Sequence, residues 1–316
     1  MKPFLWAELT WEQIRDMRSD GVDMVIFPVG STEQHGPHLP LNVDTLCAET
    51  VAHAVSTRSG VPVLPALPFG CALGHTRFWP GTLSLSPQTL SLVVREVLED
   101  VIAYGFTRIL ILSGHITNQA PLRCALEELR QAHPGLQIAQ KHLCEASLRV
   151  KAAYESDAQD WHANAGETAL MMHLAPQLVH AHRIFDDPDR TANLVFSYSV
   201  PQTSEAGHTG APSKATPLMG EELFEALVTD WTYVVKRALI EKPPLQRVDE
   251  KTQQEPQHEP QREVQREVQP PICGPPHDAP PHMSTHAAVE IASIDDSTNG
   301  AALFRAPSES ADKGLI

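Results

Sequence analysis

The sequence predicts an α/β protein, a three-layer α/β/α sandwich on a mainly parallel sheet. Two observations carry this. Short apolar runs rich in β-branched residues recur along the chain, the pattern of strands buried on both faces. Amphipathic helical patterns alternate with those runs, and that alternation is what a parallel sheet with crossover helices requires.

Taken in order, Thr10 and Gln13 form a capping-box pattern for a first helix. Val22–Pro28 is the first apolar run, and a helix carrying Ala48, Val51 and Val55 follows. Val61–Leu64 is the second run. Ser86 before Pro87 marks a helix start, since proline suits the first helical position. Leu90, Val93, Val94, Val97 and Val101 then recur at helical spacing, and Gly105 ends the helix before the run Arg108–Leu112. A further helix is expected from Asn118 to about Arg130 with Leu122, Leu126 and Leu129 inward, Asn118 reading as its cap. The last, about Gly220 to Leu239, carries Leu223, Phe224, Leu227, Trp231 and Val235. In such sheets ligands bind beyond the carboxyl ends of the strands, which directs the search for chemistry.

Whole-chain averages conceal a boundary. The 316 residues are 42% hydrophobic, ample for a core. After Pro243-Pro244, however, the sequence turns to Gln, Glu, Pro and His, with the near-repeat Gln261–Val268 and a single aromatic residue, Phe304. Such composition cannot offset its ordering entropy, so residues 1–242 read as one domain and 243–316 as a disordered acidic tail. The net charge of −15 argues against nucleic acid or an anionic membrane surface as a partner. No run approaches the roughly 18 apolar residues that span a bilayer, and Glu8 interrupts the start before a signal peptide could form, so a cytoplasmic location is expected. Five scattered cysteines without a Cys-x-x-Cys pair fit neither a disulfide framework nor a thiolate zinc site.

Three clusters carry the chemistry. After the first strand come Glu33 and His35, two residues apart and so on one side of an extended segment, with Asp44 beyond a Pro/Gly-rich loop. Carboxylate, imidazole and carboxylate suit Zn²⁺, Mn²⁺ or Fe²⁺, although a polar loop with Asp44 capping a helix reads equally well. His115 recurs at the end of the Arg108–Leu112 strand, before Thr117 and Asn118. The third cluster, Asp160 to Thr168, sets His162 and Glu167 around an Ala/Gly stretch.

Gly30-Ser31-Thr32-Glu33-Gln34-His35-Gly36-Pro37-His38-Leu39-Pro40 with Asp44, then Ser113-Gly114-His115 with Asn118, then His162-Ala163 with Glu167-Thr168, strongly resemble the creatininase (creatinine amidohydrolase) family. Gly74-His75-Thr76 and Gly207-His208-Thr209-Gly210 fit as well, and the matches run in order from about residue 7 to 240. The resemblance implies two divalent metal ions at the edge of an α/β sandwich, hydrolysis of a carbon–nitrogen bond in a small amide, and homo-oligomers, often hexamers. By it, Glu33 and His115 would hold one metal, His35 and Glu167 the other, and Asp44 would bridge them. His162 would be the proton shuttle. Read from their positions, His38 either contacts substrate or has a hydrogen-bonded structural role, and His75 and Arg77 rim the site, with Arg77 placed to bind a substrate carboxylate. Thr117 and Asn118 line the pocket, and Trp161 is an aromatic wall or a core residue. Departures in two stretches imply an altered substrate rather than a dead site: Thr117 stands where creatininase has a glutamate ligand, Ile116-Thr117 replaces the frequent Gly-Gly, and Asn164 and Ala165 replace the frequent Gly and Glu. The leading expectation is a metal-dependent hydrolase of a cyclic amide or formamide. Alternatives are a mononuclear deformylase-like enzyme, a peptide-trimming enzyme, and a non-catalytic assembly protein on the same scaffold.

Overall fold

A computed structural model describes residues 2–245; the expected tail lies, past Leu245, outside the described residues. Three strands form a parallel sheet in the order β1-β2-β3: β1 (Met24–Val29), β2 (Arg108–Ser113) and β3 (Gln137–His142). Helices α1 (Trp11–Ser19), α2 (Val43–Ser59), α3 (Pro87–Ala103), α4 (Gln119–Ala132), α5 (Leu148–Tyr154), α6 (Ala165–Leu174), α7 (Val200–Thr203) and α8 (Pro217–Ala238) complete it.

Alternation along the strands makes the three layers. Met24, Ile26, Leu110 and Leu112 face one apolar cluster with α2, α6 and α8. Val25, Phe27, Val29, Ile109 and Ile111 face the other, with α3 and α4. Each fully buried large side chain, such as Leu98, Leu122 or Trp231, contributes about 1.5–3 kcal/mol. Trp231 also satisfies its indole, whose Nε1–H donates to the Leu143 carbonyl at 3.0 Å.

The sheet departs from the expected one in two places. Val61–Leu64 is not a ladder: Pro62 and Pro65 lack N–H groups, so Val63 makes only single parallel bridges, to Leu5 and Ile26. β3 gives no apolar run because it is an edge strand, with Gln137, Gln140 and Lys141 among its residues. Among the helices, α3 buries Leu98 and leaves Val97 exposed. α8 begins at Pro217, three residues before the expected start, with Thr216 capping it. The capping box at Thr10 and Gln13 forms as expected.

Candidate metal centre

Three strand or loop ends converge on one pocket of about 100 Å³. Glu33 and His35 leave the end of β1, His115 follows β2, and Asp44 and Glu167 lie in the first turns of α2 and α6. A helix N-terminus favours a carboxylate, which is why acidic residues settle there. Two glycines permit the approach. A Cβ on Gly114 would lie 2.1 Å from the Asp44 carbonyl oxygen, and one on Gly30 would lie 2.3 Å from Thr45 Oγ1. Only glycine lets β1 and β2 end against α2, and that contact carries His115 to Asp44.

Asp44 sits between two imidazoles. Its Oδ1 lies 3.3 Å from His35 Nε2 and its Oδ2 lies 3.3 Å from His115 Nδ1. Glu33 Oε2 lies 3.2 Å from His115 Nε2, and Glu33 Oε1 lies 3.7 Å from His162 Nδ1. Three sets of donor atoms fall within 4.8 Å of one another: Glu33, Asp44 and His115; His35, Asp44 and Glu167; and Glu33, His35 and His162. Buried polar groups are nearly always hydrogen-bonded. Here Glu33 Oε1, His35 Nε2 and Asp44 Oδ2 are buried without a hydrogen-bond partner, all three aimed into the cluster.

The orientation of each ring is set from behind. His35 Nδ1–H donates to the Glu33 carbonyl at 3.1 Å, which frees Nε2 for the cluster. His162 Nε2–H donates to the Gln34 carbonyl at 2.8 Å, leaving Nδ1 toward Glu33. The Gln34 amide donates to His75 Nδ1 at 3.2 Å and to the Gly207 carbonyl at 2.7 Å. One glutamine thus orients two rings.

Three buried carboxylates meet with no lysine or arginine among the residues lining the pocket. Burial and the Asp44 charge push the Glu33 carboxyl well above its ordinary range, and burial lifts Glu167 to about 7. Burial opposes the charge on His35, but the adjacent Asp44 carries its pKa up to about 9. Asp44, also opposed by burial, is held well below the usual carboxylate range by His35 and His115. Burial lowers His75 to about 3 and holds His162 well below a free imidazole, so both are neutral. Oxygen and imidazole donors, orphaned buried atoms and surplus negative charge together fit a divalent cation.

Of the other expected residues, His75, Thr117 and Trp161 line the pocket. Thr117 Oγ1 bonds the Cys71 carbonyl and meets His115 Nε2. Trp161 packs on Tyr154, with ring centres 5.0 Å apart, and on His142 at 5.8 Å. Three residues sit elsewhere. His38 is fully buried behind the pocket. Arg77 is exposed on a left-handed turn and does not line it. Asn118 caps no helix with its side chain; the side-chain carbonyl accepts from Cys71 N–H at 2.8 Å and the amide donates to the Gly30 carbonyl at 2.9 Å, tying three segments together. Asn164 likewise lines nothing: it caps α6 by accepting from Glu167 N–H at 3.2 Å, and it donates to the Tyr154 carbonyl at 2.7 Å. Ile116 and Thr117 are therefore the departures that face the pocket.

Sequence reasoning gave no role to Gln34, although it lies inside the first motif, or to Asp160 and Thr209, although both lie inside the matched clusters, and it passed over Val200 and Thr203 of the lining. Val200 and Thr203 come from α7, a four-residue helix too short to leave a periodic signal.

Comparison with known proteins agrees with this geometry. A family model described as creatinine amidohydrolase matches residues 7–235. A creatinine amidohydrolase of Pseudomonas putida is 30% identical over 241 residues, 70% of this chain and 92% of that protein. A mycofactocin precursor peptide peptidase of Mycolicibacterium smegmatis is 33% identical over 228 residues, 68% of this chain and 85% of that protein. Among solved structures, a mutant creatininase of the Zn-Zn type superposes with a TM-score of 0.67 at 27% identity, covering 76% of this chain and all of that one. A structure of creatininase Mn gives 0.66 at 28% identity over the same shares. With the match running from α1 into α8 and taking in every residue of the cluster, the chain belongs to the creatininase family of amide-bond hydrolases.

Proposed function

We propose that the protein hydrolyses the carbon–nitrogen bond of a small, uncharged amide, cyclic or formylated, using two divalent cations. The observation that carries this is the placement of Asp44, with each carboxylate oxygen 3.3 Å from a different histidine. Glu33 and His115 would hold one ion, His35 and Glu167 the other, and Asp44 both, the two groupings sharing only Asp44. Zinc or manganese suits these donors, as does iron. Such a pair, when bound, lowers the pKa of water toward neutrality and polarises the scissile carbonyl.

The chain's own residues do the rest. His162 keeps its Nε2 proton on the Gln34 carbonyl, so Nδ1 is the atom that accepts the proton released as water adds to the carbonyl. The same Nδ1 returns that proton to the departing nitrogen, which cannot leave as an anion. Trp161, Ile116 and Val200 give an apolar wall to a pocket sized for a small head group, and the lack of lysine or arginine in its lining disfavours anionic substrates. Thr117 changes one wall, which supports a substrate other than creatinine.

A second reading, trimming of a peptide, draws on the peptidase relative at 33% identity. We also infer a homo-oligomer, which sedimentation of the purified chain reads directly. Metal analysis of protein restored with Mn²⁺ or Zn²⁺, followed by a screen of lactams, hydantoins, formamides and short peptides, tests the main reading. Fewer than two ions per chain, or turnover that survives Glu33→Gln, would sink it.

A further inference from the structure

Behind the cluster runs a chain of hydrogen bonds that the mechanism above does not use. His38 is fully buried, and its Nε2 lies 3.0 Å from Thr168 Oγ1. The Thr168 hydroxyl lies 3.3 Å from the Ala163 carbonyl oxygen. A carbonyl can only accept, so the hydroxyl hydrogen belongs to Ala163, and Oγ1 accepts from Nε2–H of His38. This places a proton on His38 Nε2 and directs it at Thr168.

The residue at the end of this chain is strained. Ala163 has φ = +48°, left-handed for a residue with a Cβ, at a cost of about 1–2 kcal/mol. Its neighbour His162 is bridged to Thr209 through both backbone groups, at 3.1 and 2.7 Å. On its other side Asn164 caps α6. The Ala163 N–H donates to Glu167 Oε2 at 2.7 Å. The left-handed turn at Ala163 is what lets one short segment present His162 from a strand-like bridge and Glu167 from a helix start. Both faces of that turn are tied, one by Glu167 and the other by Thr168. Strain of this size persists only where the surroundings over-determine it.

We propose that His38 and Thr168 are positioning residues, which hold Ala163 in its left-handed turn and thereby set the presentation of Glu167 and with it the affinity of the second cation site. The inference rests on the reading of Glu167 as a ligand. It places His38, three residues beyond His35 in the first motif, behind the metal centre rather than in contact with substrate.

Two readouts on the full-length chain test it. In metal-free protein, exchange of the Ala163 amide should be slow in the wild type and Thr168→Ser. It should be faster in Thr168→Val and His38→Phe by roughly 2- to 10-fold, the effect of losing one buried hydrogen bond. Calorimetric titration with Mn²⁺ should show two equivalents in the wild type. In Thr168→Val and His38→Phe one equivalent should weaken by about 10- to 100-fold while the other holds, as outer-shell losses do. His38→Gln, which keeps a donor, should recover part of that affinity. A cooperative thermal melt in each variant separates these effects from misfolding. If Thr168→Ser behaves like Thr168→Val, packing of the methyl and not the hydroxyl is at work, and the proposal is wrong. Unchanged exchange and unchanged titrations in Thr168→Val would also overturn it. A wild type that takes no Mn²⁺ would sink the metal reading instead, while the exchange data still decide the positioning claim.

Discussion

The helical layer formed by α3 and α4 buries Leu90, Val94, Leu98, Val101, Leu122, Ala125, Leu126 and Leu129, and no charged group. The layer across the sheet, formed by α2, α6 and α8, likewise buries an apolar face but also encloses Asp44 and Glu167 in the first turns of its helices. Both layers pack on β1 and β2. The first is a core alone, whereas the second holds ionised groups whose cost must be met by a bound cation or by shifted protonation. Stability and chemistry are thus divided between the two faces of one sheet, and each face can be perturbed separately.

The largest effect should come from the charged layer. Asp44→Asn is expected to lower turnover of whichever amide the screen identifies by at least about 100-fold, since even outer-shell partners cost 10- to 100-fold in metal affinity or activity. Steady-state kinetics at saturating Mn²⁺ would check this. Leu98→Ala acts on the other layer and should destabilise the chain by about 2–5 kcal/mol, seen as a lower urea midpoint. Metal stoichiometry of that variant at low temperature should stay at the wild-type value. A loss of metal in Leu98→Ala would show that the two layers are not separable.

Acid should attack the charged side first. His142 is buried, with Nδ1 accepting from Cys144 N–H at 3.1 Å and Nε2–H donating to the Gly114 carbonyl at 3.0 Å. Burial lowers its pKa to about 4, below the roughly 6.5 of an unfolded imidazole. The folded state therefore resists its protonation, and the contribution present above pH 6.5 is lost as pH falls through 4, up to about 3 kcal/mol. Glu167, raised to about 7, runs the other way: its contribution is present below the ordinary carboxylate range and lost as pH rises through 7. In metal-free protein, His142→Asn should flatten the fall of the urea midpoint between pH 7 and pH 4. An unchanged slope would remove His142 from the account.

The smallest contrast is between two helix caps. Ser86 caps α3 by accepting from Thr89 N–H at 3.1 Å at an exposed site, and Ser86→Ala should cost about 1 kcal/mol with metal affinity untouched. Asn164→Ala removes the α6 cap beside Glu167 and should lower both the melting temperature and the affinity for Mn²⁺. Equal effects on affinity would erase the distinction between the layers.

What the sequence revealed divides along the same physical lines. β1, β2, α3 and α4 were legible because fully buried strands and one-faced helices leave apolar periodicity. The cluster residues were legible because Glu33, His35, His115, His162 and Glu167 sit in short motifs at strand and helix ends. β3 was not, since an edge strand with polar residues looks like a loop. Nor were the roles of Asn118 and Arg77. Whether a polar side chain turns into the scaffold, as Asn118 does toward Cys71 and Gly30, depends on segments far away in the chain. The Val200 and Thr203 wall was hidden because α7, at four residues, leaves no periodic signal.

The claim that Asp44 joins two cation sites is tested most directly by titrating metal-free protein with Mn²⁺ and counting equivalents. The geometry predicts two ions per chain for the wild type and loss of both in Asp44→Asn, because each carboxylate oxygen faces a different histidine. A wild type that binds fewer than two ions, or an Asp44→Asn variant that keeps either ion, would contradict it.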